Sequence, residues 1–409
     1  APPMAATDTY VSRSVTRVRT AGGGTGSTAF VFDFGVNMAG FACLVLHEVV
    51  PAGTALTLKY GEVLHKNGTV SLPWGSGPGI NQANQTDRYY ARGQAGEVFT
   101  PAFTYHGYRY VQLEGLPESI VPVGTLPNTT LLTLTALLVR TAMAHTGAVR
   151  FGQSTLPNAL GGAAGAERHE YEILNEIQAA IVATQQSNVH SHPTDCPQRE
   201  KRGWTGDAQV TSGAASLNFD TEAMYAQWLQ SMQDSSTLGC ALAPDTPSFP
   251  QPQQFECCTP AHQAFGCDYT GLPPGGLGGG FNETRGSIAD VVPYMAVGGW
   301  PGDPSWGIAG AIIPWEVYRQ TGDPSLASEF WPLASGVVDF LTRQGNPATH
   351  GLVTFGYYGD WLSLEPVPKP QVTGWSHILS LSRVRDLADA IGKKDAAAHY
   401  AALLERLTQ

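Results

Sequence analysis

Asp195, Glu200 and Asp207 fall with Trp204 in one short stretch, Asp195-Cys196-Pro197-Gln198-Arg199-Glu200-Lys201-Arg202-Gly203-Trp204-Thr205-Gly206-Asp207-Ala208-Gln209. Proline and glycine interrupt it, so a loop is expected over 195–209, and a loop lets separate carboxylates converge on one small ligand. Trp204 adds an apolar face against which a sugar ring can lie. Acids beside an aromatic wall suit the cleavage of a glycosidic bond. One carboxylic acid protonates the leaving oxygen, a second carboxylate activates water or attacks the sugar, and neighbouring acids take the ring hydroxyls. On charge alone, the same acids among Arg199, Lys201 and Arg202 read as a surface salt-bridge cluster.

The stretch closely resembles the signature of the α-L-rhamnosidases of glycoside hydrolase family 78: Asp-Cys-Pro-Gln-Arg, one or two acids, Arg, then Gly-Trp-Thr-Gly-Asp-Ala-Gln. The resemblance continues through Phe32-Asp33-Phe34-Gly35-Val36-Asn37-Met38-Ala39-Gly40 and Tyr105-His106-Gly107-Tyr108-Arg109-Tyr110. It resumes at Ala289-Asp290-Val291-Val292-Pro293, Gly302-Asp303-Pro304-Ser305-Trp306-Gly307 and Gly359-Asp360-Trp361-Leu362. These blocks keep the family's order over most of 29–409.

The resemblance implies a multidomain β + α fold, an N-terminal concanavalin-like β-sandwich followed by an incomplete (α/α)6 toroid. It also implies an inverting glycoside hydrolase that releases terminal α-L-rhamnose from glycans or glycosides, with Glu200 as general acid. That acid must stay protonated near working pH through burial or like-charge neighbours, which Asp195 and Asp207 would supply. Asp195, Arg199, Trp204 and Asp207 are the implied substrate-binding residues of the signature, although Arg199 serves equally well as a structural bridge within the loop. Asp290, Trp306, Asp360 and Trp361 are carried over as further substrate-binding residues; helix caps or core are the competing roles. In an inverting mechanism a second Glu activates water, the two carboxyls lying roughly 6.5–9.5 Å apart. Nothing here matches the family's late Glu motif, so the general base is expected beyond residue 409. The chain departs from the family at Ile308, where relatives carry an acid, and its signature is one residue shorter between Arg199 and Trp204. The alternative function is a catalytically inactive rhamnosidase-like protein, a glycan-binding or structural component of an extracellular assembly.

Hydrophobic patterning divides the chain once. Residues 1–28 form an N-terminal segment, and 29–145 alternate apolar and polar residues between Gly, Pro and Asn turns, as a sandwich requires. A Gly- and Ala-rich linker covers 146–166, and 167–409 turns helical. Ile173, Ile177, Ala180 and Ile181 share one helix face over 167–188, and further helices are expected over 221–233, 326–343, 377–391 and 394–407. The last ends without a Gly or Pro stop signal. A ring of helical hairpins buries the sides of each hairpin against its neighbours, so the expected partner is a C-terminal remainder of the same precursor, or another subunit, completing the barrel.

The chain has 409 residues, 42% hydrophobic, with 23 basic and 34 acidic residues for a net charge of −11. That balance argues against nucleic acid as a partner, and no apolar run is long enough for a membrane span. Asn-x-Ser/Thr sequons stand at Asn67, Asn84, Asn128 and Asn282, and Cys240, Cys257, Cys258 and Cys267 crowd a Pro- and Gly-rich insertion. Together they predict a secreted, glycosylated protein with disulfides in the insertion, the pairing being open among three arrangements. The four cysteines lack the paired Cys-x-x-Cys of structural zinc, and His190 with His192 shows no third ligand, so neither metal nor cofactor is predicted. Cys43 and Cys196 are expected as buried free thiols.

Overall fold

The computed structural model describes residues 2–20, 27–72, 83–117, 131–151, 170–237, 286–294 and 302–409. Asn128, Asn282, Cys240, Cys257, Cys258 and Cys267 lie outside these described residues. The chain divides into two units, Pro2–Ala142 with Ala148–Lys201, and Met143–Gly147 with Arg202–Gln409.

The first unit is a twisted antiparallel sheet. Its strands are β1 (Met4–Val11), β2 (Ser14–Arg19), β3 (Thr28–Leu46), β4 (Ala55–Gly61), β7 (Thr86–Tyr90), β8 (Glu97–Phe99), β9 (His106–Glu114) and β10 (Leu132–Thr141), with a small hairpin of β5 (Val63–Leu64) and β6 (Val70–Ser71) beside them. The order is β1-β10-β3-β9-β4-β7, and β2 and β8 also pair with β3. Alternation sends Leu132, Leu134, Ala136 and Leu138 of β10 and Leu56, Leu58 and Tyr60 of β4 to one core. Each fully buried Leu there stabilises the unit by about 1.5–3 kcal/mol. Residues 4–11 and 14–19, read from sequence as part of a separate N-terminal segment, supply two strands of the sheet.

Strand β3 breaks register between Asp33 and Met38. There Asp33 Oδ1 accepts from Gly35 N at 2.7 Å and from Arg109 Nε at 2.8 Å, while Oδ2 accepts from Arg109 Nη2 at 2.9 Å. The guanidinium beside Asp33 holds its carboxyl below the usual range. The Phe-Asp-Phe-Gly block therefore builds a corner of the sheet.

Helix α1 (Glu170–Ser187) packs on β3 and β10. Ile173, Ile177 and Ile181 share a face as their spacing predicts, but that face is exposed, Ile177 by 50%. Periodicity reports which residues lie together and says nothing of what covers them. A two-residue hairpin, β11 (Val189–His190) and β12 (His192–Pro193), then leads into the acidic signature.

The second unit is helical: α2 (Thr205–Asn218), α3 (Glu222–Thr237), α4 (Pro304–Gly307), α5 (Ala309–Thr321), α6 (Ser325–Glu329), α7 (Trp331–Arg343), α8 (Lys369–Ala390) and α9 (Lys394–Thr408). Among the described residues no helix is long and apolar enough to cross a membrane. Helices α8 and α9 form a hairpin, and Leu381, Val384 and Leu387 of the first pack with Tyr400, Leu403 and Leu407 of the second. Two boundaries differ from the sequence expectation. The helix expected over 326–343 breaks at Phe330, where Pro332 opens a new first turn, and α8 begins at Lys369 behind Pro368, with Pro370 in its first turn.

His377 sits on α8 with 0% exposure, its Nε2 3.3 Å from Thr342 Oγ1. Burial pushes its imidazole down to about 4. Between its ordinary value near 6.5 and that depressed value, the unfolded chain takes up a proton that the folded helix pair refuses. Stability conferred by neutral His377 is thus complete above pH 6.5 and is lost as pH falls toward 4, by roughly 3 kcal/mol. Urea unfolding of the helical unit at several pH values checks this. The His377→Met variant is expected to flatten the dependence, and an unchanged slope in the variant would contradict it.

Candidate active site

The acidic signature is divided between the two units, and each part is organised by its own neighbours. In the sheet unit, residues 197–200 form a turn after the β11–β12 hairpin, with Arg199 N and Lys201 N both donating to Cys196 O. Glu200 N donates to Cys196 Sγ at 3.3 Å, and the Cys196 thiol donates to Asp195 Oδ2 at 2.7 Å. Arg199 Nη2 donates to Glu200 Oε1 at 2.5 Å, and the Glu200 side chain is only 10% exposed. Asp195 and Glu200 therefore do converge, and Arg199 orients the second of them.

Cys196 is half-buried and free. Burial, and then the carboxylate of Asp195, push its thiol up to about 12. It stays protonated at neutral pH, which removes it as a nucleophile and makes it a hydrogen-bonded packing group. Asp195, Cys196 and Glu200 each present one ligand atom within 4.8 Å of the others.

In the helical unit the signature continues as Gly203-Trp204-Thr205. Trp204 bridges Val291, Thr205 N donates to Asp290 O at 2.8 Å, and Val292 N donates to Gly203 O at 2.9 Å. That short ladder joins two of the sequence blocks. The loop expected through Gln209 ends earlier, because Thr205 opens α2. Asp207 consequently lies in the first turn of α2, exposed, where the helix dipole favours a carboxylate.

Four aromatic side chains gather around Tyr358. Trp204 lies 5.9 Å away edge-on, Trp306 4.5 Å away and tilted, Trp361 5.7 Å away edge-on, and Tyr357 6.3 Å away edge-on. Gly206 is required here, since a Cβ on it would stand 2.5 Å from the indole of Trp306. Trp361 is 62% exposed, and Asp360 beside it is exposed as well.

Two buried aspartates hold this group. Asp290 and Asp303 both have 0% exposure. Asp290 Oδ1 accepts from Asp303 N at 2.6 Å, and its Oδ2 accepts from the Tyr358 hydroxyl at 2.8 Å. Asp303 Oδ1 accepts from Ser305 N at 2.7 Å, and its Oδ2 accepts from Tyr357 N at 2.5 Å and Tyr358 N at 3.0 Å. Burial pushes the Asp303 carboxyl up, and the N–H groups of Tyr357, Tyr358 and Ser305 pull against that. Asp290, expected from the sequence to bind substrate, is buried with its Oδ1 on Asp303 N and its Oδ2 on the Tyr358 hydroxyl. Trp204, Trp306 and Trp361 are brought together around Tyr358, whereas Asp207 and Asp360 stand exposed at the surface of the helical unit.

Sequence reasoning missed Tyr358 and the role of Asp303. The available signal was Gly356-Tyr357-Tyr358-Gly359, two aromatics between glycines directly before the Asp-Trp block.

Comparison with known proteins bears on both units. Residues 24–139 match the bacterial alpha-L-rhamnosidase concanavalin-like domain, and residues 165–409 match the bacterial alpha-L-rhamnosidase 6 hairpin glycosidase domain. An alpha-L-rhamnosidase of Streptomyces avermitilis is 26% identical over 381 residues, which cover 92% of this chain and 28% of the relative. One from Formosa agariphila is 25% identical over 398 residues, covering 93% of this chain and 33% of the relative. Among solved structures, the alpha-L-rhamnosidase from Dictyoglumus thermophilum superposes with a TM-score of 0.72 at 24% identity, covering 100% of this chain and 36% of that one. The S. avermitilis enzyme complexed with L-rhamnose gives 0.69 at 25% identity, covering 99% and 31%. The chain thus spans about a third of the length of these relatives.

Proposed function

Because this chain belongs to the bacterial alpha-L-rhamnosidase 6 hairpin glycosidase family, we propose that it takes part in hydrolysis of terminal α-L-rhamnosides, with Glu200 as the general acid and inversion at the anomeric carbon. The observation that carries the assignment is the turn around Glu200. Its carboxyl is 10% exposed, is held by Arg199 Nη2, and shares a small space with Asp195 and Cys196. The fixed direction of this carboxyl and its shelter from solvent are the two features that support the assignment.

In the proposed reaction Glu200 gives its proton to the glycosidic oxygen as the bond to the anomeric carbon breaks. Water adds its oxygen to that carbon from the opposite face and yields its own proton to a base, so the sugar leaves with inverted configuration. Among the described residues we assign none to that base. Within the helical unit, taken by itself, the aromatic group around Tyr358 presents apolar faces of the kind against which the C–H surface of a sugar packs. We propose an extracellular setting with it, supported by the exposed sequon residues Asn67 and Asn84.

The test is hydrolysis of a panel of p-nitrophenyl glycosides by the longest native polypeptide that carries these residues. Release from the α-L-rhamnoside is expected to exceed release from α-L-fucoside, α-D-mannoside and β-D-glucoside by at least about 10²-fold in kcat/KM, because a site built on hydrogen-bonded hydroxyls rejects the wrong stereochemistry strongly. Tight rhamnose binding without turnover would favour a glycan-binding protein.

A further inference from the structure

Lys201, the residue after the proposed acid, has two features that work against its being there for stability. Its backbone is left-handed, φ 58°, a conformation that disfavours any residue with a Cβ. Its ammonium is turned into the protein, where burial pushes it down to about 8, so the fold works against the charge yet leaves Lys201 a cation at neutral pH.

The side chain has one destination. Lys201 Nζ donates to the backbone oxygen of Tyr105 and lies 4.2 Å from the centroid of the Tyr105 ring. Tyr105 in turn stacks on His190, the ring centroids 3.9 Å apart and the planes within 6° of parallel. Directly after Tyr105, β9 is held by a buried network. His106 Nδ1 and Nε2 bond Gln85 Oε1 at 3.1 Å and Asp87 Oδ2 at 3.0 Å, and the imidazole stacks on Tyr60 at 4.0 Å. The acid-bearing turn lies against this strand so closely that a Cβ on Gly107 would stand 2.8 Å from Gln198 N. The turn is thereby seated at two points, Gln198 by contact with Gly107 of β9 and Lys201 by its cation on Tyr105 just before that strand.

We propose that Lys201 is a positioning residue for Glu200: fastened to Tyr105, it sets the direction in which the neighbouring carboxyl points and hence the efficiency of proton transfer to the leaving group. This rests on Glu200 being the general acid. A positioning role and a structural one differ in a measurable way. If Lys201 acts through the acid, its loss matters only where protonation matters.

The experiment compares Lys201→Met, Lys201→Arg and Tyr105→Leu with Glu200→Gln on two substrates, p-nitrophenyl α-L-rhamnoside and methyl α-L-rhamnoside. Lys201→Met is expected to lower kcat at least about 10-fold on the methyl glycoside and less than about 3-fold on the nitrophenyl glycoside, with KM and the unfolding midpoint nearly unchanged. Lys201→Arg should restore most of the loss, since a guanidinium can make both contacts. Tyr105→Leu keeps the backbone acceptor and should fall between, with the same substrate bias. In the Glu200→Gln background Lys201→Met should add little, because both act at one proton transfer. Equal losses on both substrates, or additive losses in the double variant, would overturn the role of Lys201 while leaving Glu200 in place. A Glu200→Gln enzyme that does not discriminate between the substrates would overturn the acid assignment, and this role with it.

Discussion

Replacing Glu200 with glutamine should leave the fold intact and remove most hydrolysis of rhamnosides with poor leaving groups, by a factor of about 10² to 10⁴. Glutamine keeps the shape of the side chain and can still accept from Arg199, so the turn that Cys196 organises has no reason to open. What it lacks is a transferable proton. A p-nitrophenolate departs without protonation, so activated aryl rhamnosides should lose much less. That contrast separates loss of the acid from loss of the site, which would lower every substrate alike. Wild-type rates on alkyl rhamnosides would remove Glu200 from the reaction.

Asp303→Ala is expected to be the most damaging single change in the helical unit. The carboxylate has 0% exposure and accepts from Ser305 N, Tyr357 N and Tyr358 N. Truncation leaves three backbone donors buried without their acceptor, at about 1–3 kcal/mol each with incomplete additivity, so a loss of about 3–5 kcal/mol is expected in denaturant unfolding. Asp303→Asn should recover only part of it, because both oxygens are acceptors here and an amide nitrogen would face an N–H. The functional result follows from the same bonds. Tyr357 and Tyr358 lose their backbone hold, Tyr358 is the centre of the aromatic group, and rhamnose affinity should fall even where the variant remains folded. A variant within about 0.5 kcal/mol of the parent would mean that the loop finds other acceptors.

The sequence makes the turn around Glu200 legible and the aromatic group of the helical unit less so. Asp195, Arg199 and Glu200 are readable because their neighbours Cys196 and Pro197 form a local turn whose hydrogen bonds close within the motif itself. Tyr358 is not readable in that way. Its partners Trp204, Trp306 and Asp290 come from segments far apart in the chain, and only the ladder between 203–205 and 290–292 and the bonds to Asp303 bring them together. The bonds of Asp290 are unreadable for a related reason, since a buried acid that organises a loop and an acid that binds a hydroxyl occupy the same kind of motif.

Helix α2 was hidden by composition. Its residues Thr-Gly-Asp-Ala-Gln-Val-Thr-Ser-Gly-Ala-Ala-Ser-Leu-Asn have weak helix propensity, and packing against α5 decides their conformation. Strands β1 and β2 were hidden differently. Thr, Arg and Ser dilute their alternation, while their pairing with β10 and β3 supplies what local pattern does not.

The most direct measurement of the central claim is a ¹H NMR time course of p-nitrophenyl α-L-rhamnoside hydrolysis by the longest native polypeptide carrying these residues. The expected result is that β-L-rhamnose is released first and that the α anomer grows in only as the sugar mutarotates. First release of α-L-rhamnose, or no release of rhamnose at all, would contradict it.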